Sequence, residues 1–361
     1  MLLINRKEVE ELLSLEEAIR AVENAFREYG LDPTINHPRR RLHVHLGAGE
    51  QVRINSFVGA LPTRGYMGIM TRSDCFRVLE DRVDHYRGPT WFKDRSFYVL
   101  YSSSDASPLA LFYGGSGRDA PITKRALHPH AVGIRTAATS VVGTLYLARP
   151  DSRNVGLFGT GFFAPSHLTG LVTVFPGVEK IFVYSRSQEK RESFCRAMRS
   201  LVSREVIPVD HPKQAAEGMD IIVCVTNSNS PVFDGGWLQE GSHVTTIVGE
   251  NKELGQTQWF GRREVDDTVL RRCREVVVCS IEQARQDRQA LTWEAVERGV
   301  ITWDKVRELG EIVAGKAKGR EDRSDITLFH NNAGQGIADL AIHACYYELA
   351  ARNGIGKELD L

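Results

Sequence analysis

Val155-Gly156-Leu157-Phe158-Gly159-Thr160-Gly161-Phe162-Phe163-Ala164 decides the fold. It reads as a short apolar strand, a tight glycine turn and the start of a helix, in the pattern G-x-G-x-x-A. Gly159 allows the turn, Gly161 lets backbone approach a pyrophosphate, and Ala164 lets helix and strand pack closely. The following residues, Pro165 to Val172, continue as a helix whose first amide N–H groups and positive dipole end face that pyrophosphate. A glycine turn alone is common, so the neighbouring runs matter. Lys180-Ile181-Phe182-Val183-Tyr184 comes at the spacing of a next parallel strand. Asp220-Ile221-Ile222-Val223-Cys224-Val225-Thr226 follows another helical segment. Strand, helix, strand, helix, strand is the mononucleotide-binding half of a doubly wound α/β sheet.

At 361 residues the chain has room for two domains. Lys+Arg and Asp+Glu number 46 each, so no net charge favours nucleic acid or a membrane surface. The longest basic run is Arg39-Arg40-Arg41. No apolar stretch approaches a membrane span, and the N-terminus lacks the order of a signal peptide. The six cysteines are scattered, without C-x-x-C pairs or metal-ligand spacing. They are expected to be free thiols in a reducing cytoplasm, and no metal is expected.

Outward from the glycine strand, residues 130–149 carry the helical pattern Val132, Ala137, Val141, Leu145. Arg135 is its internal charge, among small residues. A guanidinium buried there is costly unless paired with an anion. Further upstream, Leu15, Ile19, Val22 and Phe26 share one helical face, with Ser14 and Glu17 as a capping box. In Pro38 to Leu46, Leu42, Val44 and Leu46 alternate with Arg41, His43 and His45, which predicts a half-buried strand with its polar face in solvent. Val52-Arg53-Ile54-Asn55 is a second alternating strand, and residues 65–113 carry more β signal around a polar stretch at 81–95. For any single one of these arginines the sequence favours a solvated sheet face over a fork for a substrate carboxylate. Downstream, Gly241 to Asn251 is a strand ending on Glu250. Val265-Asp266 and Glu275 to Cys279 suggest sheet edges, 282–320 reads as polar helices, and 333–353 as a last helix containing Asp339.

Five stretches carry a resemblance: "GIRTAATS" (133–140), "LARPDS" (147–152), "VGLFGTGFFAPSHL" (155–168), "GSHVTTIVGE" (241–250) and "DITLFHNNAGQGIADLAIHACYYELA" (325–350). Together they resemble the ornithine cyclodeaminase/μ-crystallin family over nearly the whole chain. The resemblance implies a Rossmann-type doubly wound sheet at 131–324. It also implies a discontinuous α+β domain, 1–130 plus 325–361, that binds substrate and forms a homodimer. It implies hydride transfer between a nicotinamide and the carbon of a C–N bond, with an amino acid, imine or 2-oxo acid as substrate. By residue, Arg135 matches the substrate-carboxylate arginine, Arg40 or Arg41 the first-domain arginine, and Asp339 the aspartate of the C-terminal motif. Two positions depart from the family. Met70 stands where a lysine is usual, and a thioether can neither carry charge nor donate; Arg72, Lys93 or Lys124 are the candidate replacements. Glu250, followed by Asn251, stands where cyclodeaminases have an aspartate, and can still act as acid or base.

The expected catalytic set is therefore Glu250, Arg135 and Asp339. The substrate set is Arg40, Arg41, Arg135, Met70 and Arg72. The cofactor set is Gly159, Thr160, Gly161, Phe162, Phe163, Ser185, Arg186, Thr226 and Val248. After the second strand, Tyr184-Ser185-Arg186 offers no carboxylate for ribose hydroxyls and an arginine for a 2′-phosphate, so NADP is expected before NAD. The expected activity is an NAD(P)-dependent oxidoreductase on C–N bonds. A cyclodeaminase using NAD catalytically and a non-catalytic NADP-dependent binding protein are the alternatives.

Overall fold

The computed structural model describes residues 1–47, 50–78, 83–85, 96–114, 120–248, 262–332 and 335–360. In chain order the strands are β1 (Leu2–Asn5), β2 (Asn36–Gly47), β3 (Glu50–Leu61), β4 (Tyr66–Val78), β5 (Val83–His85), β6 (Ser96–Ser102), β7 (Pro108–Tyr113), β8 (Asn154–Phe158), β9 (Lys180–Tyr184), β10 (Glu205–Pro208), β11 (Ile221–Cys224), β12 (His243–Thr246), β13 (Val276–Val278), β14 (Val306–Glu308), β15 (Thr327–His330) and β16 (Lys357–Glu358). The helices are α1 (Arg6–Val9), α2 (Leu15–Leu31), α3 (Ile122–Leu127), α4 (Ala131–Leu147), α5 (Ala164–Val174), α6 (Gln188–Val202), α7 (Asp267–Arg272), α8 (Ile281–Gln286), α9 (Trp293–Glu297), α10 (Leu309–Val313) and α11 (Gly336–Asn353).

The glycine strand β8 sits inside a wholly parallel sheet, order β10-β9-β8-β11-β12-β15-β13-β14. The chain runs outward from β8 to β9 and β10, then returns to β11 on the other side. The crevice beyond β8 and β11 is thus the topological switch point, where such sheets bind ligand. The expected sheet edge at 275–279 is instead an interior strand, because β14 adds beyond it. Asp266 is not in a strand but caps α7, its side chain accepting from Val269 N. Only short helices interrupt 282–320, with β14 among them. β15 belongs to the parallel sheet, so that sheet extends past the expected limit at residue 324.

A second sheet has the order β16-β1-β7-β6-β4-β3-β2, with β5 on β4. Its pairs are antiparallel except β1 with β7. Helix α2 begins on the Ser14–Glu17 capping box and buries Leu15, Ile19, Val22 and Phe26 in the adjoining core. Each such side chain contributes about 1.5–3 kcal/mol. Helix α11 lies on β3, β4 and α2. A Cβ on Gly336 would come within 2.0 Å of the Val58 carbonyl oxygen, so helix and strand meet backbone to backbone. Helix α4, buried along almost its whole length, packs on β12 and β15 of the parallel sheet and against α2, α5 and α11.

The faces of β2 are the reverse of expectation. Leu42 is 67% and Val44 53% exposed, while Arg39 and Arg41 turn inward. The inner face at this end meets a polar cleft rather than apolar core. Asp287 pairs there with both arginines, at 2.7 and 2.6 Å, and the apolar residues are left outside.

Candidate active site

Gly159 has φ +101°, and a Cβ there would lie 2.6 Å from the Val225 carbonyl oxygen. Only glycine suits both the conformation and the space. Gly161 differs: a Cβ would meet nothing within 4 Å, and its backbone borders a cleft. Beyond it α5 starts at Phe163 with no side-chain cap, leaving its first-turn N–H groups without side-chain acceptors. Open glycine backbone before an uncapped helix N-terminus fits a dinucleotide pyrophosphate. Arg125 of α3, absent from the sequence expectations, donates to the Gly161 carbonyl at 3.3 Å.

The loop is held from behind. His167 Nδ1 donates to the Phe163 carbonyl at 2.7 Å, and its Nε2 accepts from Ser140 Oγ at 3.0 Å. Ser140 in turn accepts from Asn331 Nδ2 at 2.9 Å. Burial pushes His167 down to about 4, so it is neutral at physiological pH. Across the cleft, Glu264 clamps the ends of β11 and β12. Its carboxylate accepts from Thr226 N and Oγ1, Thr246 Oγ1, Ile247 N and Val248 N. The Val248 carbonyl accepts from His330 Nε2 at 3.0 Å. Thr226 and Val248 are thereby fixed where they border the cleft.

The cleft measures about 310 Å³. Gly161, Phe162 and Phe163 form one side, Val225 to Asn227, Ile247, Val248 and Arg262 another. The opposite wall comes from the antiparallel sheet: Arg39, Arg53, Asn55, Phe57, Arg72 and Asp74. Strand register explains that wall. Arg53 stands opposite Asp74, Asn55 opposite Arg72, and Phe57 opposite Met70. Every second residue faces the same way, so β3 and β4 present a run of polar side chains at one end and apolar ones at the other. Arg53 Nε meets Asp74 Oδ2 at 3.1 Å and Arg72 Nε meets Oδ1 at 3.3 Å.

Arg135 enters from α4 beside Val132 and Thr136. Its Nε binds Asp339 Oδ1 of α11 at 2.9 Å. Asp339 is 1% exposed, and its Oδ2 has no hydrogen-bond partner among the described residues. Burial raises the Asp339 carboxyl above its usual range, against the pull of Arg135 and then of Arg72 and Arg6.

The cleft thus brings together Arg135, Arg72, Gly161, Phe162, Phe163, Thr226 and Val248 from the sequence expectations. It does not include Arg40, which is exposed because a bulge after His37 turns it outward. Nor does it include Arg41, which is committed to Asp287. Met70 is buried in the apolar core, two residues from Arg72 on the same face of β4. Asp339 lies behind Arg135 rather than on the cleft surface, so it positions the guanidinium. Thr160 donates to Ser185 Oγ at 3.5 Å, joining the glycine turn to the end of β9, and Arg186 beyond is exposed. Glu250, Asn251 and Lys93 lie outside the described residues, and Lys124 is held by Glu11 on the surface. Sequence reasoning missed Asp74, Arg39, Arg262 and Glu264. The alternation Arg53, Asn55 with Arg72, Asp74 was the available signal. Among the described residues no cluster of His, Cys, Asp and Glu could hold a metal.

The sequence model of the ornithine cyclodeaminase/mu-crystallin family matches residues 128–354, spanning the glycine loop, Arg135 and Asp339. The chain belongs to this family. Alanine dehydrogenase of Archaeoglobus fulgidus is 29% identical over 364 residues, covering 99% of this chain and 98% of its own. Thermococcus litoralis Δ1-pyrroline-2-carboxylate reductase, in complex with NADH and L-proline, superposes with TM-score 0.78 at 26% identity, over 99% of this chain and 100% of that one. An archaeal alanine dehydrogenase dimer with bound NAD gives TM-score 0.79 at 25% identity, over 100% and 99%. Similar members of the family thus include nicotinamide-dependent enzymes of C–N chemistry, and the doubly wound fold is shared with them.

Proposed function

We propose that this chain is an NAD(P)-dependent oxidoreductase acting on the C–N bond of an amino acid or imine, in the manner of a ketimine reductase or amino-acid dehydrogenase. One observation carries the reading. The Arg135 guanidinium, seated on Asp339 through Nε, lines the same cleft into which the glycine loop opens. That leaves its two terminal nitrogens as a fork for a substrate carboxylate.

Gly159 to Phe163 would hold the pyrophosphate of the dinucleotide, and Thr226 and Val248 would border its nicotinamide end. When bound, the nicotinamide supplies or accepts the hydride at the substrate carbon. Arg135 fixes the carboxylate and with it the distance and face of the reacting carbon, and such orientation supplies much of the rate. Phe57, Phe162 and Phe163 exclude water from that carbon. In the reducing direction a 2-oxo acid and ammonium lose water to give the imine, whose carbon gains the hydride and whose nitrogen gains one proton, from Glu250 or a water it orients. NADP is the proposed cofactor, with NAD the alternative, because β9 ends in Ser185 and Arg186 rather than a carboxylate.

The same reading makes the enzyme a homodimer through the outer face of the antiparallel sheet, where Leu42, Val44, Leu46, Ile54 and Phe97 are all exposed. A contiguous apolar face of this kind marks an interface. It also places the chain in the cytoplasm, which suits its free cysteines. No helix of the described residues is long and apolar enough to cross a membrane.

The test follows nicotinamide absorbance with purified protein, NADPH or NADH, and a panel of cyclic ketimines and 2-oxo acid/amine pairs. Oxidation that disappears in Arg135→Ala supports the reading. Ammonia released from a diamino acid without net redox change would replace it with cyclodeamination. Saturable cofactor binding without either reaction would leave a binding protein.

A further inference from the structure

The sheet wall of the cleft carries a guanidinium that one substrate carboxylate does not use. Arg72 lies on β4, 29% exposed at its side chain, and borders the cleft. Its one ion pair among the described residues is a 3.3 Å approach of Nε to Asp74 Oδ1. Its terminal nitrogens have no hydrogen bond among the described residues. Asp74 has little left to offer, because its Oδ2 already accepts from Arg53 Nε at 3.1 Å and Asn55 Nδ2 at 3.3 Å. The neighbouring position on the same face, Met70, is buried and uncharged, so Arg72 has no cationic neighbour there with which to share an anion.

Arg135 approaches from α4, a different element, and keeps its own terminal fork for one carboxylate. That fork takes about two of the roughly four lone-pair sites of the carboxylate it binds. A second guanidinium driven onto the same anion would face the like charge of the first at close range. Arg72 nonetheless serves the same site: it is among the charges that draw the Asp339 carboxyl down against the burial that raises it. Of the five arginines that border this cleft of about 310 Å³, Arg39, Arg53, Arg72, Arg135 and Arg262, Arg135 and Arg72 approach it from two different elements.

We propose that the substrate is a dicarboxylate, an imine or 2-oxo acid bearing a second acidic group, with Arg135 reading the carboxylate beside the reacting carbon and Arg72 the distal one. This rests on the C–N oxidoreductase reading and specifies its substrate class. Arg72 is then a specificity-determining residue, whose loss weighs more on diacids than on substrates that carry only the first carboxylate.

The experiment compares reductive amination of 2-oxobutyrate and 2-oxovalerate with that of oxaloacetate and 2-oxoglutarate, with ammonium and saturating NADPH or NADH. Calorimetric binding of norvaline and glutamate to the cofactor-loaded protein gives a readout independent of turnover. Wild type is expected to favour the diacids by about 10-fold or more in kcat/KM. Arg72→Leu should lose that preference, its kcat/KM falling about 10-fold further on the diacids than on the monoacids, and Arg72→Lys should restore part of it. Equal loss on both classes would put Arg72 on the first carboxylate and overturn the proposal. Turnover of monoacids with no diacid preference in wild type overturns it while leaving the oxidoreductase reading intact. Absence of turnover and of amino-acid binding for every compound overturns both.

Discussion

Arg135 meets Asp339 through Nε alone, at 2.9 Å, beneath the floor of the cleft. The aspartate fixes the plane of the guanidinium without occupying its terminal nitrogens. Arg135→Ala should therefore lower kcat/KM by about 100-fold or more through lost carboxylate binding. Asp339→Asn keeps an acceptor for Nε but loosens the pair. It should raise KM roughly 10-fold and change kcat less, a split that general misfolding does not produce. Asp339→Ala leaves a buried cation unpaired and should cost about 3 kcal/mol in denaturant unfolding. A larger fall in kcat than rise in KM for Asp339→Asn would mean that this carboxyl takes part in the chemistry.

The two loop glycines separate folding from binding. Gly159→Ala forces a side chain into φ +101° and against Val225, and should lose about 1–3 kcal/mol of stability. Gly161→Ala meets open space. It should unfold within about 0.5 kcal/mol of wild type while weakening NADPH binding about 10-fold or more. Fluorescence titration of NADPH decides this, and unchanged affinity in Gly161→Ala would remove the loop from the cofactor site.

His167 sets a pH dependence. Its pKa in the folded chain is about 4, against 6.5 unperturbed. As pH falls, the unfolded chain takes the proton first. The residue's contribution is present above about 6.5 and is lost as pH drops towards about 4, by at most ~3 kcal/mol. His330, also held near 4 by burial, acts in the same window. Urea unfolding at pH 7 and pH 5 should show a smaller difference in His167→Gln than in wild type. Equal pH sensitivity in the two proteins would assign the acid lability elsewhere.

Leu42 stands directly opposite Ile54 on the outer sheet face, 67% and 54% exposed. Placing a charge in a buried interface costs several kcal/mol, so Leu42→Asp with Ile54→Lys should convert a dimer to monomers at micromolar concentration. Sedimentation equilibrium reads the mass directly. A wild-type protein that is already monomeric, or a double variant that stays dimeric, would place the interface on another face.

The parallel sheet was legible because its strands are short apolar runs spaced by helices, a pattern local in sequence. Arg135 was legible for a similar reason: a charge among small residues on a buried helix has few physical justifications. The antiparallel sheet was harder. Alternation in β2 identified two faces but not which one turned inward, because burial of Arg39 and Arg41 depends on Asp287, far along the chain. Glu264 was hidden too, because its partners Thr226 and Thr246 sit on separate segments, 38 and 18 residues before it, that only the folded sheet brings together. Arg40 and Arg41 were taken from a conspicuous triplet, whereas Arg53 and Arg72 reach the cleft from unremarkable sequence through strand register alone.

Helix α11 closes the antiparallel sheet from the far side of the parallel one. The hydrogen bond from Ile337 N to Asn36 Oδ1 spans 301 residues. On the ribosome, β3, β4 and α2 emerge long before the helix that covers them, and the whole nucleotide-binding half is translated in between. The early sheet therefore waits with the face that α11 will cover still bare. The interval is set by elongation rate rather than by intrinsic folding speed. Slow translation through residues 114–335 lengthens exactly the period in which this sheet is most exposed to holdase chaperones and to self-association.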